Sequence, residues 1–315
     1  MKKQFVATLQ EDDVVNTYFV ATRCDLRDQA NGKKFLGMAF RDRTGEVGGI
    51  MWNNAVAASQ LFEAGDVVNV RGKVTSYQGR LQVRVEQVLP LKEGEYSYDD
   101  LVFTPTDTEE TLAKFRAVLE TIQNEWLTRL VKSFLDDAEF MEAFATAAAG
   151  RKWHHAYRGG LLKHCYEVVR IAETACELFP NVDRDVLLAA VFLHDIGKID
   201  EMSRDMFVDY TNAGRLLGHL QIGAETVQKR IETIDEFPEN LRLQLLHCIL
   251  SHHGELVNGS PIVPKTLEAI VLHIADNLDA QADAFTRVVE ETKGKGRQWS
   301  EYIQLIDRQI WTKRE

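Results

Sequence analysis

The feature that most constrains this chain is a change of hydrophobic period near residue 100. Between residues 14 and 89 apolar positions alternate with polar ones: Val68, Val70 and Val74 are interleaved with Asn69, Arg71, Lys73 and Thr75. That two-residue repeat is the pattern of a half-buried strand. From Glu109 onward the spacing becomes three and four residues, through Leu112, Phe115, Val118, Leu119 and Ile122, the repeat of a helix packed on one face. A multidomain α and β protein is therefore expected, with a small β unit over residues 1–90, a polar linker over 91–108, and an all-helical unit over 109–315.

Within the first unit, strands are expected over 17–26, 33–43, 46–52, 67–77 and 81–88, with one short helix over 55–62. Gly32, Gly45, Gly65 and Gly79 mark the turns. Five strands with a helix between the third and fourth follow the order of an OB-fold barrel, whose open face commonly binds single-stranded nucleic acid. Aromatic rings on such a face stack on bases, and cationic side chains beside them track phosphates. The candidates are Phe35, Phe40, Trp52 and Tyr77, with Arg41, Arg43, Arg71, Lys73 and Arg84. Each aromatic has a competing role as barrel filling. Downstream, helices are expected over 125–136, 138–149, 160–179, 184–196, 214–232, 238–251 and 264–292. A mobile Gly/Lys tail is expected to follow over 293–297, then an apolar stretch from Trp299 to Trp311.

Net charge separates the two units. The chain carries 37 Lys and Arg against 48 Asp and Glu, a balance of −11. Residues 1–90 hold 12 against 10, so the first unit is +2 and the remainder −13. The β unit is thus the only plausible surface for a polyanion. No apolar run is long enough to span a bilayer, and no apolar segment follows Met1-Lys2-Lys3-Gln4-Phe5 as a secretory signal would require. Four cysteines lie far apart with no CxxC pair, the usage of a cytoplasmic protein with reduced thiols.

The helical unit carries the chemistry. His194-Asp195-Ile196-Gly197-Lys198 has His164 upstream, with His219, His252-His253 and Asp276 downstream. Neutral imidazoles and carboxylates hold first-row divalent ions, with Mn, Fe, Co, Ni and Zn all suited to this mixture. An ion of this kind lowers the pKa of its bound water from ~15.7 toward ~7, which supplies a nucleophile for phosphate esters. Asp195 is the natural bridge between two ions, because its two oxygens can face both while His194 holds one. His252 and His253 are consecutive and would point about 100° apart on a regular helix. Gly254 after them ends the helix, so either both are ligands or one supports the other. Lys198 can neutralise a phosphate oxygen or satisfy the C-terminal end of its helix. His247 and His273 lie on apolar helical faces and are expected to be packed, hydrogen-bonded side chains.

The order His164, His194-Asp195, Asp276 resembles the H…HD…D signature of the HD phosphohydrolase superfamily, which is all-helical. That resemblance implies that His164 and Asp276 complete one metal site with His194 and Asp195. His219, His252 and His253 are then the additional ligands found in two-metal members. With the barrel in front and the run His154-His155-Ala156-Tyr157-Arg158-Gly159-Gly160-Leu161-Leu162-Lys163-His164, the chain is similar to the YhaM-type 3′–5′ exoribonucleases over nearly its whole length. This likeness implies exonucleolytic release of nucleoside monophosphates from single-stranded RNA or DNA, RNA being favoured. It also implies manganese as the ion, and phosphate contacts from His155 and Arg158 beside the catalytic Asp195 and Lys198. Two other functions fit the same residues. One is a phosphodiesterase for a cyclic dinucleotide or another signalling nucleotide; the Gly-Tyr-Pro motif of such enzymes is missing from His252-His253-Gly254-Glu255-Leu256. The other is a non-catalytic nucleic-acid binder with a structural metal.

Overall fold

The computed structural model describes residues 2–29, 32–77, 79–102, 107–150, 155–203, 208–292, 298–304 and 306–312, the side chain of Glu291 excepted. They form two compact units. In the first, β1 (Val14–Asp28), β2 (Lys34–Asp42), β3 (Gly45–Met51), β4 (Val67–Tyr77) and β5 (Arg80–Pro90) close a barrel in the order β1-β2-β3-β5-β4. All pairings are antiparallel except β3 with β5. Closure removes sheet edges. The interior is filled by Phe19, Leu36, Met38, Phe40, Val68, Val70, Val74 and Val83.

The helix between β3 and β4, α1, spans only Ala55–Ala58, shorter than its apolar pattern implied. Part of the stretch expected to be a linker is built onto the barrel. Leu101 joins buried Val20 and Val67, with Leu91, Tyr96 and Val102 packed around them. Asp100 accepts from the Tyr18 hydroxyl at 2.6 Å and from the Lys2 amide at 3.2 Å.

The second unit contains α2 (Thr108–Leu119), α3 (Glu125–Leu135), α4 (Ala138–Thr146), α5 (Gly160–Leu178), α6 (Arg184–Leu193), α7 (Lys198–Glu201), α8 (Asn212–Ile231), α9 (Glu239–Ser251) and α10 (Leu267–Thr292). Asn124, Asp137, Asp183 and Thr211 cap α3, α4, α6 and α8 by accepting from backbone amides of the first turn. One continuous apolar core runs through these helices, with α6 buried from Val186 to its end at Leu193. Among the described residues no helix is long and apolar enough to cross a membrane. His154 and the 293–297 tail lie outside the described residues.

Candidate metal centre and strand-binding face

Helix α6 stops at Leu193, three residues short of the span its apolar pattern predicts, and residues 194–197 form turns before α7. The turn delivers His194 and Asp195, both fully buried, into the middle of the helical core. Its shape depends on Gly197, where a Cβ would stand 2.1 Å from the His219 carbonyl oxygen. Only glycine lets α8 cross there. α8 is itself broken at Gly218 (φ 74°) immediately before His219. Past α9 the chain turns at Gly254 (φ 78°), where a Cβ would meet the His273 ring at 2.3 Å.

Asp195 lies at the centre of the site. His164 Nε2 and His194 Nε2 lie 3.5 and 3.4 Å from its Oδ2, while His219 Nε2 and His252 Nε2 each lie 3.5 Å from its Oδ1. Asp276 Oδ1 is 3.1 Å from His164 Nε2, and His253 Nε2 is 3.2 Å from His219 Nε2. Two donor groups result, each with ligand atoms within 4.8 Å of one another: His164, His194, Asp195 and Asp276; and His219, His252 and His253. The structure thus gathers all seven expected ligands. The consecutive pair diverges as helical geometry requires, with ring planes 81° apart, yet both Nε2 atoms stay in the cluster because α9 ends at Ser251.

The hydrogen bonds say what the cluster can hold. Each imidazole engages an acceptor through Nδ1: Asp279 Oδ2 for His164 (2.6 Å), Val191 O for His194 (2.8 Å), Glu201 Oε1 for His219 (2.9 Å), Ile249 O for His252 (2.8 Å) and Asn258 O for His253 (3.0 Å). With the proton on Nδ1, the Nε2 lone pairs of neutral rings point at one another and at carboxylates. His164 and His194 approach to 3.3 Å in this way. Two lone pairs facing each other are repulsive unless a proton or metal cation intervenes. Both oxygens of Asp195 are buried without a hydrogen bond. The Lys198 ammonium stands 2.5 Å from Oδ2 as an ion pair, outside hydrogen-bond geometry. A buried carboxylate left this way, with imidazole nitrogens around both oxygens, has the chemistry to hold a metal ion.

The titration of the cluster follows. Burial favours the neutral acid for Asp195, but Lys198 and His194 outweigh it and hold the group well below the carboxylate range. Burial would discharge His194, yet Asp195 and Asp276 lift it to about 10. Burial pushes His252 down to about 4. Without a metal, the cage therefore keeps a proton on His194, which a divalent ion would displace. His219 and Asp276 are 13% and 16% exposed at the side chain, so the centre opens to solvent on their side.

Two matches to family models cover this arrangement: the HD domain over residues 161–281, and the OB-fold nucleic acid binding domain over residues 20–91. The 3′-5′ exoribonuclease YhaM of Shouchella clausii (strain KSM-K16) is 30% identical over 303 residues, which span 96% of this chain and 93% of that protein. The protein of the same name from Bacillus velezensis is 34% identical over 285 residues, 89% of this chain and 88% of that one. The chain belongs to the YhaM family. It is a hydrolase, a metal-dependent 3′–5′ exonuclease. Among solved structures, the second OB-fold domain of replication protein A from Methanococcus maripaludis matches at 21% identity and a TM-score of 0.23, over 30% of this chain and all of that one.

Other expected site residues of this YhaM relative fall in different places. Lys198 opens α7 rather than ending a helix, and it is buried against Asp195. His155 is 2% exposed with both ring nitrogens engaged, to Tyr157 and Asp279. Arg158 is half-buried in the turn before α5. His247 accepts from the Lys265 amide at 2.8 Å, and His273 donates to the His252 carbonyl at 2.7 Å, so both are structural as expected. Asp279 and Glu201 were missed. Each is an acidic residue on a helix, indistinguishable in sequence from solvated charge, and only the packed structure shows it buried behind a histidine.

On the barrel, Phe40 belongs to the interior, stacked on Phe19 at 5.9 Å. It is removed from the candidate face, because its strand parity points inward. Phe35 packs on Trp52 at 5.1 Å; Trp52 is 45% exposed and Tyr77 65%. The register sets Arg84 beside both Lys73 on β4 and Ile50 on β3. Arg71, Lys73 and Arg84 all point outward. Arg41 is exposed and paired with Glu46 at 3.2 Å, and Arg43 lies 4.8 Å over the Phe5 ring.

Proposed function

We propose that this chain shortens single-stranded RNA from its 3′ end in the cytoplasm, releasing nucleoside monophosphates. In this reading the barrel, residues 1–90, holds the strand, residues 91–108 join the units, and residues 109–315 cleave. The observation that carries it is Asp195, a buried carboxylate with no hydrogen bond and one imidazole pair on each oxygen. Two ions fit that division. His164, His194, Asp195 and Asp276 would hold one, and His219, His252 and His253 with the far oxygen of Asp195 would hold the other. Manganese is the favoured metal on the likeness to the YhaM-type enzymes, since mixed imidazole and carboxylate donors suit Mn, Fe, Co, Ni and Zn alike. When bound, such ions supply Lewis acidity, acidifying a coordinated water and drawing charge from phosphate oxygens.

The chain's own groups do the rest. Val191, Ile249, Asn258, Glu201 and Asp279 keep the imidazoles as Nδ1–H tautomers with their Nε2 atoms inward. Lys198, whose ammonium partners Asp195, would neutralise a non-bridging phosphate oxygen. Arg158 provides a further phosphate contact from the turn before α5. Phe35, Trp52 and Tyr77 offer stacking surfaces, and Arg41, Arg71, Lys73 and Arg84 offer charge for the strand backbone. End-labelled single-stranded RNA and DNA, incubated with the manganese-loaded protein, test the reading. A ladder shortening from the 3′ end of RNA supports it; intact oligonucleotides alongside cleavage of a cyclic dinucleotide would replace it.

A further inference from the structure

The geometry points to Asp279 and His155 as a positioning pair that holds His164 ready for a metal ion. The inference rests on the metal-holding reading of the cage and adds a support that the ligand pattern does not contain. Asp279 Oδ2 receives His164 Nδ1 at 2.6 Å and His155 Nε2 at 3.0 Å. An ionised carboxylate only accepts, so both ring nitrogens donate. His155 Nδ1 is then an acceptor, and the Tyr157 hydroxyl donates to it at 3.0 Å. His164 Nε2 is left with its lone pair, facing Asp276 Oδ1 at 3.1 Å. The donations from Tyr157 through His155 and from His164 therefore converge on Asp279 Oδ2, which leaves the His164 lone pair on Nε2, the ligand atom.

Three further observations make this a built device. His155 and Asp279 are 2% and 6% exposed, so the bonds are shielded from competing water. His155 has a left-handed backbone (φ 45°), disfavoured for a non-glycine residue; its amide is tied to Asp283 Oδ2 at 2.9 Å. Asp276 and Asp279 lie three residues apart on α10, on one face, so a single helix supplies a ligand carboxylate and the carboxylate behind another ligand. The donor atoms of His155, His164 and Asp279 are close enough to hold an ion of their own, but both histidines are instead bonded to Asp279. A carboxylate behind a ligating imidazole orients the ring and makes it more basic, and its loss weakens metal affinity about 10–100-fold.

The test is Mn²⁺ titration calorimetry on the metal-stripped full chain, with exonuclease kinetics alongside. Asp279→Asn keeps the side chain's size and removes its charge. We expect its Mn²⁺ affinity to fall about 10–100-fold, with kcat recovering to within about threefold of wild type at saturating Mn²⁺ and KM for a labelled oligonucleotide unchanged. A merely structural defect would not be rescued by metal. His155→Gln should lose affinity in the same direction, by less, with the same unchanged KM. An Asp279→Asn titration matching wild type overturns the inference. So does a His155→Gln variant whose KM rises while its Mn²⁺ affinity holds, since His155 would then be a phosphate contact. A wild-type chain that binds no Mn²⁺ would instead overturn the metal-holding reading beneath it.

Discussion

Each unit buries a charged cluster, and the two differ in one respect. In the barrel, the Lys2 ammonium lies 2.9 Å from Asp42, both side chains fully buried. Asp42 also accepts from the amides of Val6 and Thr44, each at 2.9 Å, and from the Thr44 hydroxyl at 2.6 Å. In the helical unit Asp195 is as deeply buried, yet neither oxygen accepts a hydrogen bond. A buried charge whose bonds are all made holds a fold together; one left short holds a place for something else. The first cluster is complete in the polypeptide alone, and the second has the donor set to hold a metal.

The largest effect that could break this contrast is on catalysis. Asp195→Asn keeps the shape of the side chain and should lower exonuclease activity on the order of 10⁴-fold, the scale of deleting one member of a cooperating catalytic set. Oligonucleotide binding, followed by fluorescence anisotropy, should survive through the barrel. Near wild-type turnover would sink the assignment. Asp42→Ala should do the reverse. Leaving Lys2 buried and unpaired should cost about 3–5 kcal/mol of stability, read by denaturant unfolding, while activity per folded molecule is kept. Metal should distinguish the clusters again. Mn²⁺ at 100 times its dissociation constant should stabilise the wild type by about 2.7 kcal/mol and Asp195→Asn by less, whereas Asp42→Ala should show the full increment. Equal stabilisation of wild type and Asp195→Asn would remove Asp195 from the site.

A smaller contrast separates Trp52 from Phe40. Trp52→Ala should weaken single-strand binding by about 1–3 kcal/mol, the worth of one stacked base, and leave stability nearly unchanged. Phe40→Ala should destabilise the barrel by about 3–5 kcal/mol through the cavity it leaves. Smallest is a pH effect at His247, whose proton affinity is lowered by burial and then by Lys265. Its neutral ring accepts from the Lys265 amide, so its contribution is present above the ordinary histidine pKa of about 6.5. It is lost as pH falls through the lower folded value. The drop in melting temperature between pH 7 and 5.5 should be smaller in His247→Gln; an identical drop would place the acid sensitivity elsewhere.

The sequence by itself determined a good deal. The change from a two-residue to a 3.6-residue repeat divided barrel from helices, because side-chain direction is fixed by backbone geometry alone. The order of His164, His194, Asp195, His219, His252, His253 and Asp276 marked the cage, because few residue types can ligate such ions and seven of them recur on apolar segments. Tertiary structure alone decided the rest. It put Phe40 inside and Trp52 outside, and it turned Lys198 onto Asp195. It also set Asp279 and Glu201 behind His164 and His219. A helical carboxylate in water and one buried against an imidazole look the same in sequence. What separates them is which atoms the fold brings together, across 115 residues of chain for Asp279 and His164 and 18 for Glu201 and His219, and only the packed helices fix that approach.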